Sequence, residues 1–186
     1  MRLPDFMQKA IQVVFHSKQE WNNIAHEYFS EKDLFRQYAL PWIVLCVAVN
    51  ALCSGLYASQ FWAPFFLALV LDGISYLGGY FLACYLGFYL LDRLFPKVFN
   101  KSDVITVITY AYTVSWALEI IIAIVPEFLF LRILNFYILQ ILLESDGILL
   151  EIPKQKQGMV VLPLTIVIVC AVPLVRAVSA ILLPNV

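Results

Sequence analysis

The chain is 186 residues long, 62% hydrophobic and only 13% charged, with a formal net charge of −1 at pH 7 and a mean hydropathy of +0.85. Soluble domains carry about 25% charged and about 45–50% apolar residues, so the composition excludes an ordinary soluble domain and points to an all-α integral membrane protein. A near-neutral balance offers no field to gather nucleic acid or an acidic substrate; the expected partner is the lipid bilayer, with no nucleic acid.

The N-terminal segment, residues 1–40, is the polar part of the chain. Phe6, Ala10, Val13, Val14 and Ser17 fall on one helical face, and Trp21, Ile24, Ala25 and Tyr28 form a second patch. Amphipathic helices of this kind lie along headgroups with Trp and Tyr at the interface, or pack their apolar face on neighbouring helices. Charges recur from Asp5 to Arg36 with no uninterrupted apolar run between them, so no cleavable signal peptide is expected.

Residues 41–186 are expected to form one membrane domain of five spans, at about 41–57, 64–91, 104–125, 128–143 and 160–183. Prolines punctuate them: Pro41 and Pro64 open the first two, Pro126 closes the third, and Pro184 closes the fifth, since proline is tolerated in a first turn but not in a helix interior. Pro173 lies inside the fifth span and predicts a kink there. The fourth span is short for a bilayer core of about 30 Å, so it must stand upright or extend past Glu144.

The second span carries Ser75, Gly79, Ala83 and Gly87 at four-residue spacing. Small residues so placed make a ridge where another helix can come close, and the second span is expected at the centre of the bundle. Its acid, Asp72, is one of four ionisable residues inside the spans, with Glu119, Arg132 and Arg176. An ion at mid-bilayer costs at least about 2.5–3.5 kcal/mol unless it pairs or meets water. At about 1.5 Å per residue all four fall about 18–30 Å from the basic ends of their helices. Glu119 and Arg132 flank the Pro126 turn and are the expected pair. Asp72 and Arg176 either join them in one charge network or snorkel to the outer headgroups.

Orientation follows from the Lys and Arg in the loops. Arg2, Lys9, Lys18, Lys32 and Arg36 precede the first span, Arg93, Lys97 and Lys101 follow the second, and Lys154 and Lys156 follow the fourth. The intervening turns hold none. The N-terminus is therefore expected in the cytoplasm and the C-terminus on the opposite side.

Chemistry is sparse. His16 and His26 both precede the spans, the four cysteines (Cys46, Cys53, Cys84, Cys170) lie in apolar runs without a CxxC spacing, and no P-loop, HExxH or nucleophile elbow occurs. No cofactor, metal or catalytic set is expected. The cysteines read as small buried hydrophobes.

Short motifs run through the chain: Trp21-Asn22-Asn23-Ile24-Ala25-His26-Glu27, Tyr38-Ala39-Leu40-Pro41, Thr109-Tyr110-Ala111-Tyr112-Thr113, Pro126, and Gly147 through Ile152-Pro153 with the basic loop after it. In these the sequence resembles the Yip domain family, five-span membrane proteins named for interacting with Ypt/Rab GTPases. Val114-Ser115-Trp116 stands where the family has a proline. The resemblance implies a five-span fold with a cytosolic N-terminus, and marks Trp21, Glu27, Pro41, Tyr110, Tyr112, Pro126, Gly147 and Pro153 as motif positions. The compact N-terminal segment resembles bacterial members, for which a cytoplasmic (inner) membrane is implied and a Rab-type partner is not. The leading function is a non-enzymatic adaptor or organiser that recruits a protein partner or shapes the bilayer. The alternatives are a small transporter or channel component built on the charged residues and, third, a membrane-embedded enzyme.

Overall fold

The computed structural model describes residues 5–26, 30–95, 99–150, 152 and 155–182, and among these every regular element is helical. Tyr28 and the motif positions Glu27 and Pro153 lie outside the described residues. Five rods are long and apolar enough to cross a membrane: Glu31–Tyr57, Trp62–Leu94, Lys101–Ile124, Pro126–Ser145 and Gln157–Leu182. They are preceded by α1 (Asp5–Phe15) and α2 (Ser17–His26).

The first rod begins well before the expected boundary at residue 40. It joins α3 (Glu31–Leu34), a π turn (Phe35–Ala39) and α4 (Leu40–Tyr57) without interruption. Pro41 has no N–H to give, and its ring presses on the carbonyl of Gln37. Widening the turn ahead of it, with the Leu40 N–H bonded to Phe35 O, lets the helix pass through the proline. The second rod, α5 (Trp62–Leu94), places Pro64 in its first turn and runs past the expected end at residue 91 to Leu94. After α6 (Lys101–Ile124), Pro126 starts a 3-10 segment, Pro126–Phe136, that continues as α7 (Tyr137–Asp146), with Gly147 as its C-cap. A 3-10 helix rises about 2.0 Å per residue against about 1.5 Å for an α-helix, so tighter winding makes up the length that the fourth span lacks. The last rod, α8 (Gln157–Leu182), contains Pro163 and Pro173 yet continues through both as one helix; the kink expected at Pro173 does not break it.

α6, not α5, is the central helix. It buries side chains on nearly every side, among them Val107, Ile108, Tyr110, Tyr112 and Trp116. α5 buries one stripe and turns Phe66, Leu69, Leu77, Phe81 and Tyr85 outward, because its small residues and its large ones fall on opposite faces. The small stripe, Ser75, Gly79, Ala83 and Gly87, is buried. A Cβ on Gly79 would stand 2.8 Å from Val172 Cα, and one on Gly87 would stand 2.5 Å from Ile108 Cδ1. The ridge therefore meets α8 near its middle and α6 and α8 lower down, and α5–α8 is the most extensive helix pair of the bundle.

α1 and α2 pack on the spans. Val13, Trp21 and Ile24 are buried; Phe6 meets Trp42 edge-on, Trp21 meets Tyr110 edge-on, and the Tyr137 hydroxyl donates to Val14 O at 2.8 Å. Of the two destinations open to the amphipathic patches, the buried faces took the spans, while Ala25, Ile11 and Phe15 remain exposed. Beneath them sits an aromatic layer in which Trp116 stacks on Tyr112 and Trp42, with Tyr80 tilted against both Tyr112 and Trp116. Buried tyrosines need a partner for their hydroxyls, and threonines on α6 supply it: Tyr38 to Thr113 at 2.6 Å and Tyr80 to Thr109 at 2.9 Å.

Candidate functional site

The four ionisable residues inside the spans gather at the end of the bundle opposite Lys101 and Lys156. Asp72 on α5 and Arg176 on α8 form a hydrogen-bonded ion pair, with side chains 10% and 44% exposed. Of the two readings open to these residues, membership of a charge network and snorkelling to headgroups, their contact is that of the first. The close approach of α5 and α8 at Gly78 and Gly79, where Val172 and Val175 fill the groove, brings them together. Arg132 and Glu119 also meet, with Nη2 3.3 Å from Oε1 and 3.4 Å from Oε2, and side chains 51% and 24% exposed. The pair nearer in sequence is the looser and wetter one, because the turn at Pro126 leaves both at the rim.

Two uncharged pairs accompany them. Ser115 Oγ donates to Asn135 Oδ1 at 2.9 Å, and Asn50 Nδ2 donates to the Tyr76 hydroxyl at 2.9 Å. Sequence reasoning fixed on formal charge and passed over these residues. The signal was there, since an amide inside an apolar run also loses its water, and Asn50 and Asn135 both interrupt such runs.

Glu119, Arg132, Arg176, Ser115, Asn135 and Tyr76 line one cavity of about 480 Å³. Its apolar wall comes from α8, including Val169, Val172 and Pro173, and Tyr112 and Trp116 stand at its inner limit. At the end of the bundle near Lys156, α7 packs firmly on α8; toward the other end the 3-10 segment and α8 barely touch. The cavity is the wedge left where they diverge.

Two other concavities are less suited to chemistry. An aromatic crevice of about 280 Å³ between Phe35, Phe81 and Phe88 is edged by the Lys101–Glu31 ion pair at 3.1 Å. An almost wholly apolar recess of about 660 Å³ runs under α1, between Phe15, Trp42 and Tyr137. No cluster of three or more His, Cys, Asp or Glu that could hold a metal ion occurs among the described residues. Cys46 and Cys84 are buried within the bundle, Cys53 is half-buried, and Cys170 faces outward from α8.

The motif positions are scattered rather than convergent. Trp21 and Tyr110 touch in the core, Tyr112 is buried beside Gly79 O, Pro41 follows the π turn inside the first rod, and Pro126 and Gly147 mark a helix start and a helix end. They hold the fold rather than converge on a site. The chain matches no family model, no curated protein and no solved structure.

Proposed function

We propose that the protein is a non-enzymatic membrane adaptor or organiser of Yip-like type, presenting its N-terminal helices to the cytoplasm of a bacterial cell. The observation that carries this reading is the docked α1–α2 pair. Its apolar face is anchored on the spans through Trp21 and Val13, and its outward face is mostly polar, with Gln8, Gln12, Lys18, Gln19, Asn22 and Asn23 beside the exposed Ile11 and Phe15. A rigidly held polar face of this kind suits a protein partner better than it suits headgroups, which would draw apolar side chains down into the bilayer. The distribution of Lys and Arg supports an orientation with this face at the cytoplasmic surface and the C-terminus on the opposite side, in keeping with an inner-membrane protein.

Site-specific photocrosslinking in cells tests the reading. A crosslinker at Gln12 or Asn22 should give a discrete protein adduct, whereas one at Phe66, on the outward stripe of α5, should not. The same adducts at all three positions, or none, would refute a recruiting role. The orientation is tested by reporters fused to the C-terminus: alkaline phosphatase should be active there and a cytoplasm-dependent fluorophore dark.

A transporter or channel component is the second reading, favoured by the charged cavity. The stacked Tyr112 and Trp116 at its inner limit weigh against a through-path. Proteoliposome flux that collapses in Glu119→Gln would promote this reading over the first.

A further inference from the structure

The cavity between the 3-10 segment and α8 has three properties that together define a ligand. First, it lies between two helices that diverge, and both helices turn large apolar side chains outward, Phe130, Ile133 and Phe136 on one and Leu174, Val178 and Ile181 on the other. The polar interior is thus set within an apolar exterior, which suits a molecule with a hydrocarbon tail. Second, the charges in and beside it sum to zero, two carboxylates against two guanidiniums. A purely anionic or purely cationic head would also face a like charge, while a zwitterion can set each of its charges against an opposite one. Third, the two ion pairs are not equivalent. Arg176 is held by a carboxylate that is nearly buried. Arg132 and Glu119 stand 3.3–3.4 Å apart at the rim, longer than the about 2.7–2.9 Å of a well-made charge-assisted bond. A guanidinium has five donors and a carboxylate about four acceptor sites, so both keep most of their capacity free.

We infer that this wedge binds a phospholipid whose headgroup carries a phosphate and a primary ammonium, with Arg132 taking the phosphate and Glu119 the ammonium. Asn50 donates to the Tyr76 hydroxyl, which leaves that hydroxyl's own proton available as a second donor for the phosphate. Arg176 contributes positive charge while remaining on Asp72. An ammonium with N–H groups can donate to Glu119; a trimethylated one offers it no hydrogen bond. The site would exist whether or not α1 and α2 recruit a partner, so the two readings fail separately.

The test uses the purified full chain in mild detergent, delipidated and mixed with phosphatidylethanolamine, phosphatidylcholine or phosphatidylglycerol, with bound lipid read by native mass spectrometry. Phosphatidylethanolamine should be retained about tenfold over the other two, the value of one charge-assisted hydrogen bond. Glu119→Gln combined with Arg132→Gln removes both charges without stranding either, and should erase that preference while melting close to the wild type. Glu31→Gln with Lys101→Gln, at the other end of the bundle, should leave it intact. Equal retention of the three lipids by the wild type, or undiminished preference in the Glu119/Arg132 double variant, would overturn the site. Loss of preference in the Glu31/Lys101 variant would overturn its location. Free O-phosphoethanolamine that displaces the lipid at equal concentration would overturn the assignment to a lipid rather than a soluble zwitterion.

Discussion

Gly79→Ala adds a single methyl group, and the structure says what that methyl would strike. Its Cβ would stand 2.6 Å from Val172 Cγ2, 2.8 Å from Val172 Cα and 3.0 Å from Val172 N. Two of those atoms are backbone, so no rotamer change relieves the clash. Carbon atoms rest about 3.5–4.0 Å apart, so α5 and α8 must part locally by about 0.7–1.2 Å. Overpacking of this kind costs about 1–3 kcal/mol, against which the better helix propensity of Ala returns up to about 1 kcal/mol. Two glycines of the same helix calibrate the effect. A Cβ on Gly73 meets nothing within 4 Å, and one on Gly87 meets chiefly Ile108 Cδ1, the free end of a flexible side chain. Thermal unfolding in detergent, followed by the reaction of buried Cys46 and Cys84 with a thiol dye, should therefore rank Gly79→Ala lowest, Gly87→Ala next, and Gly73→Ala at or above the wild type. If Gly79→Ala melts with Gly73→Ala, the close approach of α5 to α8 is wrong. Separation at this point would also strain the Asp72–Arg176 pair, so Gly79→Ala should couple to substitutions there.

Arg176→Gln strands the nearly buried Asp72 and should cost about 2–3 kcal/mol, most of it recovered by adding Asp72→Asn, because removing both charges leaves none unpaired; equal melting of all three proteins would refute the pairing. Neutralising Arg132 alone should cost only about 0–1 kcal/mol, as for a solvent-accessible pair. The charge swap is the sharper probe there: Glu119→Arg should lower the yield of folded protein, and adding Arg132→Glu should restore it, while failure to restore would sink the contact. Trp21→Ala removes a fully buried side chain, worth about 3–5 kcal/mol in a core, and should release α2 so that trypsin cuts after the exposed Lys18 well before the spans are lost. Unchanged cleavage would mean that the N-terminal helices are held by something else.

Much of the bundle can be read from residue order because lipid imposes a coarse length and a coarse polarity on each crossing. Prolines at 64 and 126 mark helix beginnings for the simple reason that they lack an N–H, while Pro41 falls inside a helix that begins at Glu31. The small stripe of α5 is legible because four-residue spacing determines a helical face. Azimuth is another matter. Periodicity tells which residues share a face, not which neighbour that face meets, and so Asp72 and Arg176, 104 positions apart, could be placed at one depth without being seen as partners. The same limit put α5 at the centre in place of α6, whose mixture of threonine, alanine and aromatic residues has no strong side and is enclosed for that reason. The two departures from α-winding, at Phe35–Ala39 and Pro126–Phe136, answer to a proline in each case, yet no local rule says that the chain will widen its turn before Pro41 and tighten it after Pro126. The partners Ser115 and Asn135 were hidden because neither bears a charge.

The winding at Pro126–Phe136 has a consequence for bilayer thickness. Beyond the kink at Phe128 the 3-10 winding runs over residues 129–136; these eight residues at about 2.0 Å per residue extend about 16 Å, while wound as an α-helix they would extend about 12 Å. The difference, about 4 Å, is most of the gap between a thin bilayer core of about 27 Å and a thick one of about 32–33 Å. Each residue that changed winding would also turn through about 100° in place of about 120°, carrying Arg132 around its helix and away from Glu119. In this crossing the pitch of the backbone sets two things together: the membrane depth the segment can match, and the azimuth at which its one cation meets the central helix.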